Sequence, residues 1–122
     1  MLYLASPYSS PDKALEDMRF QQALETCVWL TRRGEKVFSP IVHWHPVARQ
    51  FPDDIPTDAN FWLDYNIQMM KMAEGIAVLT LPGWEQSIGV TMEIRFAKIL
   101  RIPLTHLNPE KTTLQRNFII TP

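Results

Sequence analysis

The sequence predicts an α/β fold in which helices cover both faces of a parallel sheet. Short apolar segments alternate with longer helical segments in the order strand, helix, strand, helix, strand, helix, strand. The apolar run at residues 76–81 suits a strand that is buried on both faces, as in parallel sheets. Because 122 residues fit one domain of ordinary size, we expect a single domain over residues 1–122 with four to five strands.

The chain opens with a predicted strand at residues 2–5, which is followed by a polar loop at residues 6–10. Ser10 suits the N-cap of the first helix. Pro11 suits the first helical position, because its ring fixes the backbone angle that a helix needs. Gly34 marks the predicted end of this helix.

The middle of the chain is predicted to contain a second strand, a long proline-rich segment and a second helix. The strand is placed at residues 36–40. Residues 39–56 contain four prolines and are expected to form a long loop that is functional or mobile. Thr57 or Asp58 is the expected cap of the second helix, which runs to Gly75.

The segment between the strands predicted at residues 76–81 and 102–107 has a mixed pattern. Some of its apolar residues alternate as in a strand, whereas others recur as in a helix. Its length favours a helix, which a parallel crossover requires. Further along the chain, residues 117–122 are a candidate fifth strand.

This arrangement predicts where a ligand binds. Open parallel sheets bind ligands at the carboxyl ends of their strands, at the point where the strand order reverses. If the first strand neighbours the third, the loops at residues 6–10 and 82–87 line that crevice.

Composition excludes several classes of function. Lys and Arg total 12 and Asp and Glu total 13, and no basic stripe is present, so a nucleic-acid polymer is not the expected partner. No run approaches the ~20 apolar residues that a membrane span needs. The single cysteine, Cys27, forms no internal disulfide, which fits a reducing cytoplasm. Its apolar neighbours favour a packing role over a nucleophilic one.

The stretch from Ser87 to Glu93 holds the strongest candidates for chemistry. Ser87 is a predicted helix cap, and Gly89 leaves room for a ligand to reach the free N–H groups of the helix start, although a plain cap would look the same. Glu93 follows among apolar residues, where a carboxylate serves as a nucleophile or as a general acid or base. Pairing with Arg95 or Arg101 is the structural alternative.

Asp64 and the two histidines of the proline-rich segment are weaker candidates. Asp64 lies in the second predicted helix and faces the ligand only if that helix is suitably oriented. His43 and His45 would point the same way on a strand, but no third metal ligand is evident. We therefore expect no metal, and His43 is expected to contact substrate from a lid. The remaining candidates are Ser6, Tyr8, Ser9 and Ser10 of the first loop and the aromatic residues Trp44, Phe61, Trp62 and Trp84.

Two segments of the chain together resemble a known superfamily. YLASPYS at residues 3–9 resembles the opening motif of the nucleoside 2-deoxyribosyltransferase-like superfamily. WLDYNIQMMKMAEGIAVLTLPGWEQSIGVTMEIRFA at residues 62–97 is similar to its central block. The closest resemblance is to a small bacterial and phage branch with the signature PGW..S.G...E.

The resemblance implies a flavodoxin-like sheet, no cofactor, and a homo-oligomer that acts on a nucleoside or a nucleoside 5'-monophosphate. Glu93 falls on the nucleophile that attacks the anomeric carbon, and Asp64 falls on the aspartate that assists around the base and sugar. Tyr8 lies near the residues that contact the sugar, and Ser87 matches the branch in which a serine holds phosphate. Together with the candidates from the local patterns, the expected substrate-binding set is Ser6, Tyr8, Ser9, His43, Trp84, Ser87 and Gly89.

Two functions from different classes follow from these features. One is cleavage or exchange of an N-glycosidic bond, which the retention of both Asp64 and Glu93 favours. The other is a nucleotide-binding module without catalysis, which is favoured by Arg95 at a position where the superfamily often has glycine, and by the atypical first loop.

Overall fold

A four-stranded, all-parallel sheet forms the centre of the fold. The computed structural model describes residues 1–114, and in that part the strand order is β2-β1-β3-β4. The strands are β1 (Leu2–Ala5), β2 (Val37–Phe38), β3 (Gly75–Leu79) and β4 (Leu104–Leu107). The protein is therefore an α/β protein of the flavodoxin-like, three-layer kind, as the alternation of strands and helices predicts.

Helices follow the strands in chain order. They are α1 (Lys13–Arg32), α2 (Pro40–Gln50), α3 (Ala59–Lys71), α4 (Ile88–Ile99) and a short α5 (Pro109–Thr112), and a single 3₁₀ turn spans Trp84–Gln86. None of the helices within residues 1–114 is long and apolar enough to cross a membrane.

Alternate residues of the strands point to opposite faces of the sheet, and each face has its own buried cluster. On one face, Tyr3 and Ile76 pack with Met70 of α3 and with Val90 and Ala97 of α4. The other face is packed by Leu4, Ala77, Leu79 and Leu81, with Cys27 of α1 against them. Helices α3 and α4 therefore share one side of the sheet, and α1 covers the other side.

The start of α1 differs from the prediction that Ser10 is the cap. Asp12 is the N-cap, because its backbone is still extended and its side chain accepts a hydrogen bond from the Ala14 amide at 3.0 Å. Ser10 lies before the helix, and its hydroxyl accepts from the Asp12 amide at 3.1 Å. Pro11 therefore precedes the helix and does not open it.

The prediction of a long loop at residues 39–56 is wrong, because much of this segment forms α2. Ser39 caps the helix by accepting from the Val42 amide at 3.1 Å, and Pro40 occupies the first helical position, where a missing N–H costs nothing. Pro46 lies inside the helix. The number of prolines suggested a loop, but the first of them starts a helix.

Other expectations agree with the structure. Asp58 caps α3, and Ser87 caps the helix between β3 and β4. Strand β1 pairs with β3 in parallel, Leu2 with Gly75 through Ala5 with Val78. The candidate strand at residues 117–122 lies outside the described residues.

Candidate functional site

The strand order reverses between β1 and β3, so the predicted crevice falls at the carboxyl ends of these two strands. Arg19 of α1 ties together the two loops that border it. Its Nη1 donates to the Tyr8 carbonyl at 3.1 Å and to the Ser9 carbonyl at 3.3 Å, and its Nη2 donates to the Pro82 carbonyl at 3.4 Å. A side chain from the first helix thus links the loop that follows β1 to the loop that follows β3.

Glu93 lies below this edge, on the side of α4 that faces the sheet. Only 8% of the residue is exposed. Its carboxylate accepts a hydrogen bond from the hydroxyl of Tyr3 at 2.5 Å, and Tyr3 is fully buried in the central strand. Among residues 1–114, neither Arg95 nor Arg101 forms an ion pair with Glu93, so the alternative of a structural ion pair does not hold.

Burial sets the protonation of this pair. Desolvation raises the pKa of Glu93 to about 7, and the hydrogen bond from Tyr3 opposes that rise because it stabilises the carboxylate. Desolvation and the neighbouring carboxylate raise the pKa of Tyr3, which therefore keeps its proton and acts as a donor. A glutamate with a pKa near neutrality is available both as carboxylate and as acid, which is the property that enzymes tune in catalytic carboxyl groups.

The start of α4 is open to a ligand. The Ser87 hydroxyl accepts from the Val90 amide at 3.2 Å, and this leaves the earlier amides of the helix start without a capping side chain. Gly89 is exposed, and a Cβ atom placed there would meet only the Ser87 hydroxyl at 3.9 Å. The fold itself does not require glycine at this position. A glycine that packing does not explain supports close approach of a ligand to the helix start.

Gly83, in contrast, is required by the fold. Its φ of +91° is one that L-residues rarely adopt, and a Cβ atom there would lie 2.9 Å from Arg19 Nη2. At the end of β1, the residue Ser6 is only 6% exposed, and its hydroxyl has no hydrogen-bond partner among residues 1–114. The crevice therefore combines a rigid corner with a buried, unpartnered hydroxyl.

Tyr8 joins the first loop to α2 through His45. The Tyr8 hydroxyl lies 2.7 Å from His45 Nδ1, and His45 Nε2 lies 3.2 Å from Asp17 Oδ1. Burial is the largest cause that lowers the pKa of His45, so the ring is neutral at neutral pH. A neutral ring donates from Nε2 to Asp17 and accepts at Nδ1 from Tyr8. The ring also stacks on Phe20 at 4.3 Å.

The placement of His43 and His45 corrects the expectation that both point the same way from a strand. Both lie on α2 and not on a strand, so they do not share a face. His43 contacts the rings of Phe38 and Trp44, whereas His45 is the histidine linked to the first loop. Within residues 1–114, no group of three or more His, Cys, Asp or Glu side chains is arranged to hold a metal ion.

Asp64 is the predicted site residue that the structure leaves apart from Glu93. It is exposed on α3, so its neighbours Phe61 and Trp62 do not bury its carboxyl group. The buried side of α3 carries Met70, and Asn66 lies one turn before it on the same side. The side-chain oxygen of Asn66 is buried and has no partner in residues 1–114.

The remaining predicted residues lie at the rim. Trp84 is half-buried on the turn before α4, packs on the core and contacts the ring of His106 at 5.4 Å. Ser9 is exposed, and its carbonyl is held by Arg19.

Cys27 packs against the core on the α1 side, and burial raises the pKa of its thiol to about 11, as expected of a packing residue.

Four residues have roles that were not predicted from the sequence: Tyr3, Arg19, His45 and Asn66. Tyr3 looked like an ordinary strand residue, although a tyrosine in a short buried strand needs a partner for its hydroxyl, and this could have indicated a polar group on the helix above it. No such signal marks Asn66, because its spacing to Met70 places both residues on one side of α3 but does not show that this side is the buried one.

Comparison with known proteins identifies the family of the chain. No curated protein matches it. One family model, described as a domain of unknown function (DUF1937), matches residues 1–107 and so covers all four strands and the whole crevice described above. The chain belongs to this family, DUF1937.

Proposed function

We propose that the protein cleaves or exchanges the N-glycosidic bond of a deoxynucleoside or a deoxynucleoside 5'-monophosphate, with Glu93 as nucleophile. The observation that carries the proposal is the buried Glu93 carboxyl group, held by the hydroxyl of Tyr3 beneath the carboxyl edge of β1. A carboxyl group is buried at this cost only where it is paired or used. The resemblance of residues 62–97 to the 2-deoxyribosyltransferase-like superfamily supports the same residue as nucleophile.

The proposed chemistry has two steps, as in retaining glycosidases. The Glu93 carboxylate attacks the anomeric carbon, an ester bond forms, and the bond to the base breaks; the departing base takes a proton from water. Water, or a second base, then attacks the same carbon and releases Glu93 as a carboxylate. Tyr3 holds the carboxylate in position through its hydroxyl and keeps part of it ionised at neutral pH.

The start of α4 supports a substrate that carries a phosphate. Free amides at a helix start favour an anion, and Gly89 leaves them accessible. The unpaired thiol of Cys27 fits action in a reducing cytoplasm. A homo-oligomer is part of the proposal, and it is supported by large apolar side chains exposed on α4, of which Ile88 is 82% and Ile99 is 65% exposed.

One observation favours the second candidate, a nucleotide-binding module without catalysis. Asp64, the expected assistant to Glu93, is exposed. A module of this kind would use the same crevice and helix start for binding, but it would not break the glycosidic bond.

Release of free base separates the two candidates. The assay incubates the protein with the common deoxynucleosides and their 5'-monophosphates, with and without a second base as acceptor. Glu93→Ala is expected to abolish release. Glu85→Ala changes an exposed glutamate of the neighbouring turn, and is the matched control that retains release. Binding without release in every arm would favour the binding module, and full turnover by Glu93→Ala would disprove the nucleophile.

A further inference from the structure

Two buried hydrogen-bonding groups, one on α2 and one on α3, have no partner in the fold. They are the indole N–H of Trp44 and the side-chain oxygen of Asn66, and neither meets a partner among residues 1–114. Buried polar groups in native proteins are nearly always paired, because leaving one unpaired is destabilising. One of the two is a donor and the other is an acceptor, so a single ligand with one acceptor and one donor would satisfy both.

The two groups occupy the same part of the molecule. The Trp44 ring packs edge-on against the rings of Trp62 at 5.0 Å and Tyr65 at 5.5 Å, both on α3. Asn66 directly follows Tyr65 and lies four residues, about 6 Å along the helix axis, beyond Trp62. Trp44 therefore packs on the stretch of α3 that carries Asn66.

This stretch of α3 leads toward Glu93. Met70 follows Asn66 by one turn and is buried in the same cluster as Tyr3, whose hydroxyl holds Glu93. Helix α4, which carries Glu93, packs beside α3 on this side of the sheet. The unpaired donor and acceptor thus lie on the α3 side of the pair formed by Tyr3 and Glu93, toward the carboxyl edge of the sheet.

A second tryptophan of the same aromatic cluster shows that the fold does pair such groups. The indole N–H of Trp62 donates to the Pro56 carbonyl at 2.8 Å. Trp44 and Trp62 are in ring contact, yet only one of the two has its N–H paired. The chain therefore supplies a matched control for the role of Trp44.

We propose that Trp44 and Asn66 form a recognition subsite for the heteroaromatic base of a nucleotide. The Trp44 N–H donates to a ring nitrogen or carbonyl oxygen of the base, and the Asn66 side-chain oxygen accepts from an adjacent amino group or ring N–H. Each common nucleobase presents such an adjacent donor and acceptor along its edge. The inference rests on the proposed function for the identity of the ligand, but it requires binding alone and not cleavage.

The test measures binding by calorimetry in a Glu93→Gln background, which prevents turnover of the ligand. The common deoxynucleoside 5'-monophosphates are titrated first. The tightest of them is then compared with an analogue whose base lacks hydrogen-bond donors, which is unsubstituted purine for a purine and 2-pyrimidinone for a pyrimidine. The ratio of the two dissociation constants reports whether the protein senses the donor of the base.

The variants separate recognition from packing. Trp44→Phe and Asn66→Leu remove one polar group each, and each is expected to weaken binding of the natural nucleotide by about 10-fold or more. Asn66→Leu is also expected to bring the ratio close to one, because the group that senses the donor is gone. Trp62→Phe breaks the bond to Pro56 and is expected to lower stability, but to leave the ratio unchanged.

Every outcome bears on the inference. Unchanged affinity and ratio in Trp44→Phe and Asn66→Leu would overturn it, even if base release that depends on Glu93 had been observed. Failure of the parent protein to bind any of the nucleotides would overturn it as well. Weaker binding in both variants, together with a ratio close to one in Asn66→Leu, would uphold the subsite; if the wild-type protein also released no base, the proposed glycosidic chemistry would be rejected.

Discussion

Replacing Glu93 by glutamine should stabilise the protein at alkaline pH and have little such effect at acid pH. In the folded protein the pKa of Glu93 is about 7, whereas its ordinary value is 4.5. Below pH 4.5 the carboxyl group is protonated in both states, so its burial carries no ionisation penalty. As the pH rises from 4.5 to 7, the unfolded chain releases the proton and the folded protein retains it, so stability falls.

The size of the effect follows from the same two values. At about 1.36 kcal/mol for each pH unit, the difference between 7 and 4.5 corresponds to about 3 kcal/mol, fully developed above pH 7. Glutamine does not ionise, and its side-chain oxygen still accepts from Tyr3. The quantity to compare is the free energy of unfolding of Glu93→Gln minus that of the wild type. We expect this difference to be larger at pH 8 than at pH 4 by up to about 3 kcal/mol.

Urea unfolding at pH 4, 6 and 8 measures these free energies directly. Glu85→Gln is the matched control, because this glutamate is exposed. We expect the free energy of unfolding of this variant to differ from that of the wild type by the same amount at all three pH values. A Glu93→Gln variant whose stability relative to the wild type did not increase between pH 4 and pH 8 would refute the argument from burial. The prediction does not depend on the proposed function.

Three further predictions address catalysis, ligand access and the acid side of the stability curve. Tyr3→Phe removes the hydrogen bond that lowers the pKa of Glu93, so the midpoint of kcat/KM against pH for base release should move above about 7. An unchanged midpoint would show that Tyr3 does not lower the pKa of Glu93. Gly89→Ala should stabilise the protein by up to about 1 kcal/mol in urea unfolding and yet weaken nucleotide binding by calorimetry, and unchanged binding would show that no ligand approaches there. Because the pKa of His45 is lowered in the folded protein, its contribution to the free energy of unfolding is complete above its ordinary pKa of 6.5 and is lost as the pH falls. His45→Gln should therefore lose less stability than the wild type between pH 7.5 and pH 5. An equal loss in both proteins would contradict a neutral, buried ring.

The sequence predicted the strands and the helix between β3 and β4, because these depend on patterns within short segments. The apolar run that forms β3 and the capping serine of α4 are local features of this kind. Helix α2 was not predicted, because the effect of a proline depends on its position. A proline inside a helix disrupts it, whereas a proline at the first position starts it, as Pro40 does.

The partners inside the site were beyond sequence analysis. Tyr3 and Glu93 are 90 residues apart in the chain and meet only because β1 and α4 share one side of the sheet. The choice between Asp64 and Asn66 depends on the rotation of α3 about its axis, because the two residues lie on different sides of that helix. That rotation is set by the packing of Met70 against the sheet, which the sequence alone did not give.

The pairing of β1 with β3 has a consequence for biosynthesis. Leu2 pairs with Gly75, so the pairing can form only after a further 73 residues (75 minus 2) have been translated, which takes about 4 to 15 s at 5–20 residues per second. During that time one edge of the central strand has no partner, and an unpaired apolar edge invites pairing with other chains. The yield of folded protein should therefore respond to the translation rate and to chaperones that shield strand edges, even though β3 covers this edge in the folded protein.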